Sequence, residues 1–380
     1  MRTSTITRGR VAAALLMVLA LVSLTACSTP AGSAPTTPSA AAEATTRTVK
    51  DMVDRHVVIP TKVEKIVTLG SGAPRLAAYL DVMDMLVGAE EYVKDGVNIR
   101  RDYNPVHHER LATLPFVGAG GGSGQNNGYP EEIIKAAPDV IMAGFDREAA
   151  DELQQQTNIP VVSVRHTTGL APQGFYDAMR LFGDVVHAEE RSEKVLAYVD
   201  SMLADLDRRT VDVPDGDKLR AYAGAVTWNG RRGFSGTYGD FGVFNAIHAV
   251  NVAQNDATPG FYEADLEAVL TWDPDIIFLD PGNMDLVNEE YATNPSYFTS
   301  LRAVREGKVY SMPAFNNAGT NFTYAFMDAY YAGIVLFPEQ FADVDIKAKS
   351  GEILTTFLGS DTFDQMVAGG LIYDTIKVGG

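Results

Sequence analysis

The 380-residue chain has one cysteine, Cys27, so no disulfide can form within it. It also lacks the sequence patterns of common catalytic sites, with no His-Glu-x-x-His, no Gly-x-Ser-x-Gly and no cysteine pair for zinc or redox chemistry. The glycine run 118–124 is not followed by the Gly-Lys-Ser/Thr ending of a phosphate-binding loop. These absences predict a protein that is not an enzyme and that a large hydrophobic core stabilises in place of disulfides.

The amino terminus has the features of an export signal. Three arginines and no acidic residue precede an unbroken apolar run of 12 residues, 11–22. A run of this length is too short to cross a bilayer but is typical of a secretion signal. The following Leu24-Thr25-Ala26-Cys27 resembles the lipobox of bacterial lipoproteins, in which the cysteine receives a diacylglyceryl group. We therefore predict a lipoprotein signal peptide over residues 1–26; an ordinary signal peptide with an incidental cysteine is the alternative.

Lipidation of Cys27 would tether the protein to a membrane. Two acyl chains anchor stably, because each buried methylene contributes about 0.8 kcal/mol. Residues 27–47 are almost all Ser, Thr, Pro, Ala and Gly, a composition that cannot form a core and predicts a flexible tether. The predicted location is therefore the outer face of the cytoplasmic membrane.

The mature chain is strongly acidic. Without residues 1–26 it has 28 Lys and Arg against 49 Asp and Glu, a net charge of −21. Such a surface argues against binding nucleic acid or anionic lipid through diffuse charge. It does not constrain the ligand, because the charge of a pocket can differ from that of the surface.

From residue 55 onward, short β-branched runs alternate with longer amphipathic stretches, which predicts α/β lobes with mainly parallel sheets. The strand candidates are 65–69, 140–142, 161–164, 221–223, 276–279 and 309–310. One segment recurs, since 131–141 and 267–277 each read as a glutamate, a short apolar helix, Pro-Asp and a buried strand. The copies lie 136 residues apart, which indicates two similar lobes.

The longest helical pattern, 174–209, lies between the two copies. Val195, Val199, Met202 and Leu206 recur at helical spacing and form one apolar stripe. We predict a single stiff helix that joins the two lobes; a helix that belongs to one lobe is the alternative. The predicted boundaries are 48–170 for the amino-terminal lobe, 171–212 for the linker and 213–380 for the carboxy-terminal lobe.

Several short motifs occur in a specific order along the chain. They are 51–60 (DMVDRHVVIP), 65–67, Val87-Gly88, the two Glu…Pro-Asp segments, Lys308-Val309-Tyr310 and 328–339. In this order they resemble the periplasmic binding proteins that serve ABC importers of ferric siderophores, haem and vitamin B12, over roughly residues 48–375. One departure is Asp54, where that family commonly has glycine. The resemblance implies the class III architecture, in which one long rigid helix joins two Rossmann-like lobes, and a monomer without a cofactor.

The resemblance also implies partners. In this family a glutamate at the start of each lobe contacts arginines of the permease, and these positions map to Glu131 and Glu267. A permease dimer driven by a separate ATPase would then be the partner. In the other interpretation both are first-turn carboxylates, stabilised by the helix dipole by about 0.3–1 kcal/mol each. A surface-anchored sensor or adhesion module that feeds no transporter is the alternative from a different class.

Ligands of α/β sheets bind beyond the carboxyl ends of the strands. The sharpest candidate there is 228–234 (WNGRRGF), which pairs an aromatic ring with two guanidinium groups and suits a planar or anionic metal chelate. An exposed turn with ordinary surface arginines is the alternative. The predicted ligand-binding residues are Ser71, Arg100, Arg101, Tyr103, Trp228, Arg231, Arg232, Tyr238, Asn316 and Asn317.

The ligand class follows from the resemblance, and we predict an iron complex of the ferric siderophore type. Haem, a corrinoid and a bare or oxyanionic metal are the alternatives. A bare metal would require residues such as His107, His108, His166 and Asp280 to converge across the cleft; we predict no metal site, with these histidines at the surface or in the core. The glycine run 118–124 is either a ligand-contacting loop or a solvated linker.

Overall fold

The computed structural model of the chain describes residues 45–92, 96–120, 126–165 and 169–380. The predicted signal peptide, Cys27, nearly all of the tether, His166 and residues 121–124 of the glycine run lie outside the described residues. Within the described ranges, no helix is both long enough and apolar enough to cross a bilayer.

The amino-terminal lobe is a parallel sheet preceded by a hairpin. Its strands are β1 (Thr46–Lys50), β2 (His56–Pro60), β3 (Ile66–Leu69), β4 (Leu86–Glu90), β5 (Phe116–Gly118), β6 (Val140–Ala143) and β7 (Val161–Ser163). β1 and β2 pair antiparallel, and the other five form a parallel sheet in the order β5-β4-β3-β6-β7. Because helices cover both faces of such a sheet, β3, β6 and β7 are buried throughout, which explains their continuous apolar runs.

The described part of this lobe contains four helices. They are α1 (Ala73–Tyr79), α2 (Asn104–Ala112), α3 (Pro130–Ala136) and α4 (Arg147–Thr157), with a 3₁₀ turn at Met83–Met85. In the β1–β2 turn, Asp54 has φ 61°, so the aspartate adopts the left-handed conformation that glycine would otherwise provide.

The linker is a helical hairpin, and the prediction of one continuous helix over 174–209 is wrong in this detail. The chain forms α5 (Gln173–Val186) and α6 (Glu189–Thr210), separated at His187, whose φ of 57° ends the first helix. No Gly or Pro marks the break, so the sequence pattern runs through it. The 22 residues of α6 span about 33 Å, and its predicted apolar stripe is buried.

α6 contacts both halves of the chain. The side chain of Arg191 donates to the carbonyl of Tyr79 (2.8 Å) and to that of Thr356 (2.7 Å), and Arg209 pairs with Asp343 (2.6 Å). Contacts along its whole length hold this helix in place, which fits the predicted rigid connection.

The carboxy-terminal lobe repeats the parallel sheet. Its strands are β8 (Arg220–Gly224), β9 (Gly236–Tyr238), β10 (Val250–Asn251), β11 (Phe261–Glu263), β12 (Ile276–Leu279) and β13 (Val309–Ser311). Four are parallel in the order β10-β8-β12-β13, and β9 pairs antiparallel with β11. The helices are α7 (Gly242–Asn245), α8 (Leu266–Trp272), α9 (Met284–Thr293), α10 (Pro295–Ser300), α11 (Arg302–Arg305), α12 (Phe322–Leu336), α13 (Ile346–Leu358) and α14 (Phe363–Ala368), with 3₁₀ turns at Asp215–Asp217 and Pro281–Asn283.

The two sequence copies adopt the same local structure. α3 and α8 end at Ala137 (φ 51°) and Asp273 (φ 40°), which are equivalent positions. Two residues later, the carboxylate of Asp139 accepts from the backbone N–H of Lys65 (2.9 Å), and that of Asp275 from Arg220 (2.9 Å). In each lobe the Pro-Asp motif therefore ties the start of one central strand to the start of its neighbour.

Candidate functional site

The strand order reverses once in each sheet, and ligand sites of such sheets lie beside the reversal, at the carboxyl ends. In the amino-terminal lobe the reversal lies between β3 and β6, and partly buried Ser71 is in the turn after β3. In the carboxy-terminal lobe it lies between β8 and β12, which lead into the loops that start at Ala225 and Asp280. A ligand site is therefore expected at these two edges.

A buried arginine joins the two lobes at this level. Arg75 of α1 is fully buried and pairs with Asp102 (2.8 Å). Its remaining N–H groups donate to the side-chain oxygen of Asn321 (2.6 Å) and to the carbonyls of Asn317 and Ala318 (both 2.9 Å). We call Arg75, Asp102 and Asn321 the Arg75 hub. The pair of Arg75 with Asp102 lies within the first lobe, and the bonds to residues 317–321 join it to the second, so the hub is a structural contact.

Three predicted ligand residues of the first lobe lie around this hub. Arg100 donates to the carbonyl of Gly282 (2.8 Å), and Arg101 donates to the Asn317 side chain (3.1 Å). Tyr103 is 1% exposed, and its hydroxyl bonds to that of Tyr92 (2.9 Å). Both arginines therefore bridge the lobes, whereas Tyr103 belongs to the core.

An aromatic groove opens beside the second lobe. Trp228 stacks on Phe261 at 6.4 Å between ring centroids, and Tyr238 and Phe315 continue the wall. Exposed Arg165 faces these rings from the first lobe. The groove holds about 1060 Å³ of empty space, including its mouth. The predicted residues Trp228 and Tyr238 thus share one surface.

A tight turn presents Trp228. Asn229 and Gly230 both have positive φ (47° and 119°), the conformation that Asn-Gly favours between paired residues, here Thr227 and Arg231. The two arginines that follow point in different directions. Arg231 bonds to Asp285 and Asn283, away from the groove, whereas the guanidinium of Arg232 lies 4.9 Å from the centroid of the Phe261 ring.

A second space lies behind the groove, at the ends of β8, β12 and β13. We call it the inner cavity; it measures about 320 Å³ including its mouth. Three rings, Tyr238, Phe241 and Phe315, line both the cavity and the groove and stack on one another at 5.6–6.1 Å. The side chain of Asn316 donates to the Tyr238 hydroxyl (2.6 Å). Tyr238 and Asn316 therefore contribute to this cavity, and Asn317 lies with the Arg75 hub.

Two buried carboxyl groups face the inner cavity. Asp280 directly follows β12 and accepts from the backbone N–H of Gly282 and the hydroxyl of Thr227 (both 2.9 Å). Asp328, in the middle of α12, accepts from the Tyr373 hydroxyl (2.8 Å) through one oxygen only. Burial raises the pKa of Asp280, and it raises that of Asp328 well above its usual range.

The first lobe has its own buried acid. Glu90 ends β4 and accepts from the backbone N–H of Gly70 (2.8 Å). Burial raises its pKa to about 7, although this hydrogen bond and Arg101 act in the opposite direction. Its position is at the carboxyl edge of the sheet but outside the groove and the inner cavity.

A bare-metal site does not form among the described residues, where no group of three or more His, Cys, Asp or Glu side chains converges. His107 is partly buried on α2, and burial lowers its pKa. His166 lies outside the described residues. Gly118 and Gly128 close a bridge at the base of the glycine run.

Several residues of these surfaces escaped the sequence analysis. Phe241 and Phe261 are separated from Trp228 along the chain, and Arg165 follows a strand without any motif. Asp328 does have a signal, because it is the only charged residue in the 15-residue helix α12. A lone carboxylate in an otherwise uncharged, buried helix indicates a functional or structural pairing.

The chain has recognisable relatives. Residues 66–314 match the periplasmic binding protein family. The molybdate-binding protein MolA of Haemophilus influenzae is 25% identical over 345 residues, which cover 79% of this chain and 87% of MolA. The Fe(3+)-citrate-binding protein YfmC of Bacillus subtilis is 21% identical over 180 residues, 47% of this chain and 55% of YfmC.

Solved structures are similar in fold. A periplasmic solute binding protein from Veillonella parvula aligns with a TM-score of 0.65 at 18% identity, over 86% of this chain and 97% of that one. MolA bound to molybdate aligns with a TM-score of 0.62 at 22% identity, over 83% and 98%. At these identities the likeness concerns the fold, and it agrees with the predicted two-lobe α/β architecture.

Proposed function

This chain belongs to the periplasmic binding protein family, and on that premise we propose that it captures a metal chelate of the ferric siderophore type. Its role as a solute-binding protein follows from the family. The ligand class is our own proposal, and it depends on the chemistry of the aromatic groove. We further propose that it acts as a monomer and passes the ligand to an ABC permease dimer with a separate ATPase.

The observation that carries the proposal is the size and lining of the groove. The part of the groove that a ligand could fill, about 510 Å³, lies within the range for organic ligands and is far larger than a tetrahedral oxyanion requires. Trp228 and Phe261 offer flat apolar faces, and Arg165 and Arg232 lie at its edges. Aromatic faces bordered by cations suit a bulky anionic chelate.

A small oxyanion is the second candidate, because MolA, which aligns with 79% of this chain, is a molybdate-binding protein. An oxyanion needs several donors that converge on one point. Arg75, Arg100 and Arg101 are the cations nearest the lobe contact, and each already donates to oxygens of the other lobe. Molybdate would therefore have to displace interlobe hydrogen bonds.

Tryptophan fluorescence tests the proposal, since the chain has only two tryptophans. A ferric hydroxamate, a ferric catecholate, haemin, cyanocobalamin and molybdate would be titrated separately. We expect saturable quenching by a ferric chelate, its loss in Trp228→Phe and its retention in Trp272→Phe, because Trp272 packs near Tyr222 away from the groove. Saturation by molybdate alone would favour the oxyanion, and haemin or cyanocobalamin alone would select the corresponding alternative.

The exposed first-turn positions of Glu131 and Glu267 support delivery to a permease. They are equivalent in the two copies and so form a pair of acidic points that a symmetric permease dimer would match. Measurements of ligand uptake distinguish this role from that of a sensor or adhesion module, because only in a transport protein would uptake of the ligand depend on these two residues.

We also propose lipid anchoring through Cys27. The support is the sequence 24–27 and the preceding apolar run. Cys27→Ser should move the protein from the membrane fraction to the soluble exported fraction, as measured by fractionation and immunoblotting. Undiminished membrane association of that variant would contradict the anchor.

A further inference from the structure

The inner cavity adjoins the groove but is separated from it by side chains. The rings of Tyr238, Phe241 and Phe315 form a partition between the two spaces, and each ring faces both of them. The hydroxyl of Tyr238 is held by Asn316 (2.6 Å) and donates weakly to the carbonyl of Thr227 (3.3 Å). A change of side-chain rotamer in this partition would connect the inner cavity to the groove, so a ligand in the groove could extend one arm inward.

Among the described residues that line the inner cavity, one buried side-chain oxygen, on Asp328, has no hydrogen-bond partner. Both oxygens of Asp280 accept hydrogen bonds, but the second oxygen of Asp328 is buried and has no partner. Leaving a buried acceptor without a donor costs about 1–3 kcal/mol. Asp328 is fully buried and faces the cavity, so its free oxygen marks the place for a donor.

The side chains that line the inner cavity restrict the kind of donor that can bind there. Tyr238, Phe241, Phe278 and Phe315 line the cavity, and aromatic faces attract organic cations. The positive charge of Arg100 acts on Asp280, which leaves Asp328 as the main acceptor for a cation. A metal ion would need more ligands than these two acids, and no group of three or more His, Cys, Asp or Glu converges among the described residues. The enclosed part of the cavity has room for about one water-sized group. An alkylammonium head satisfies all of these conditions.

We propose that the inner cavity is a subsite for a primary ammonium group on the ligand, which donates to the free oxygen of Asp328 with Asp280 as its second neighbour. The inference rests on the proposed function, in which a chelate occupies the groove. It narrows the ligand to a metal chelate with a protonated amine arm. Burial holds the pKa of Asp328 high while the cavity is empty, and the positive charge of the arm would offset that effect.

A matched pair of ligands tests the subsite. The ferric complex of a linear trihydroxamate with a free terminal amine is compared with the same complex after N-acetylation, by Trp228 fluorescence. We expect the amine to bind at least tenfold more tightly to the wild type and equally in Asp328→Asn. Asp240→Asn is the control, because Asp240 lines the groove but not the cavity, and it should keep the preference.

The outcomes separate the subsite from the groove. Equal binding of the two chelates to the wild type, or a preference that Asp240→Asn removes and Asp328→Asn keeps, would overturn the ammonium subsite and leave the groove proposal intact. If Asp328→Asn does not fold, Ala223→Val narrows the same cavity from β8 and should also remove the preference.

If neither chelate binds, the groove proposal fails, and methylammonium tests the cavity alone. It should raise the melting temperature of the wild type more than sodium does at equal ionic strength, and Asp328→Asn should show no such difference. Identical melting with methylammonium and sodium would overturn the subsite.

Discussion

The carboxyl edges of the two sheets share a strand topology but differ in chemistry. In the amino-terminal lobe the edge contains Arg75, Asp102 and Glu90, which are buried and bonded to specific partners. In the carboxy-terminal lobe the edge contains stacked rings around empty space, with Trp228 and Phe261 as its outermost members. One edge therefore makes a contact, and the other leaves room for a ligand.

The difference shows what each kind of side chain can do at an open edge. A buried guanidinium must keep a full set of acceptors, because an unpaired buried charge is expensive. Aromatic faces have no such requirement, so they tolerate a vacant space and still contribute when a ligand enters. We infer that the charged edge holds the lobes in position and that the aromatic edge does the binding.

The largest effect should come from the charged edge. Arg75→Ala leaves Asp102 buried without its cation and removes the hydrogen bonds to Asn317, Ala318 and Asn321. We expect the free energy of unfolding, measured by urea denaturation, to fall by about 3–5 kcal/mol. The control is Arg180→Ala, whose pair with Glu193 is exposed and should contribute less than about 1 kcal/mol. Equal losses in the two variants would contradict a special role for Arg75.

Glu90 should produce the next largest effect on the free energy of unfolding, and the direction of its pH dependence can be predicted. Its pKa is about 7 in the folded protein against 4.5 for an ordinary glutamate, so the folded state favours the protonated form. The contribution of Glu90 to the free energy of unfolding is fully present below pH 4.5 and is lost as the pH rises through 7. Glu90→Gln mimics the protonated form, and it should exceed the wild type in unfolding free energy by roughly 3 kcal/mol at pH 8.

At pH 4 the Glu90→Gln variant and the wild type should unfold alike. A parallel offset between Glu90→Gln and the wild type at every pH would mean that Glu90 does not titrate with folding.

The smallest effect on the free energy of unfolding should come from Glu131 and Glu267, which are equivalent in the two sequence copies and lie outside both carboxyl edges. Glu131→Arg with Glu267→Arg alters two exposed residues, so the unfolding free energy should change by less than about 0.5 kcal/mol at each site. Ligand affinity should also stay constant while uptake by cells collapses, because attraction to the permease becomes repulsion. Normal uptake of radiolabelled ligand would leave only the helix-dipole interpretation of these glutamates.

Much of the architecture could be predicted because it depends on residue patterns within short stretches of the sequence. The strand candidates correspond to β3, β6, β7, β8, β12 and β13, and the repeat predicted equivalent units. The long connecting helix is confirmed by α6, but its predicted extent was too great, because His187 adopts a left-handed conformation that its residue type does not announce. For the candidate site, the predictions led to Trp228 and Tyr238 but missed Arg165 and Phe261, which no motif connects to them. Asp328 was noted only as part of the motif 328–339 and was not assigned to a site.

The sequence by itself determined the α/β class, the two similar lobes, the apolar stripe of α6 and the strand ends where a ligand would bind. Those features follow from the spacing of hydrophobic residues, from β-branched runs and from the Pro-Asp boundaries, all of which depend on residues that are close together in the sequence. Only the tertiary structure decided which arginines are committed to the lobe contact and which border open space. Arg75 and Asn321 are 246 residues apart in the chain. The sequence shows an arginine in the same way whether its N–H groups donate to a carbonyl of the protein or to a ligand.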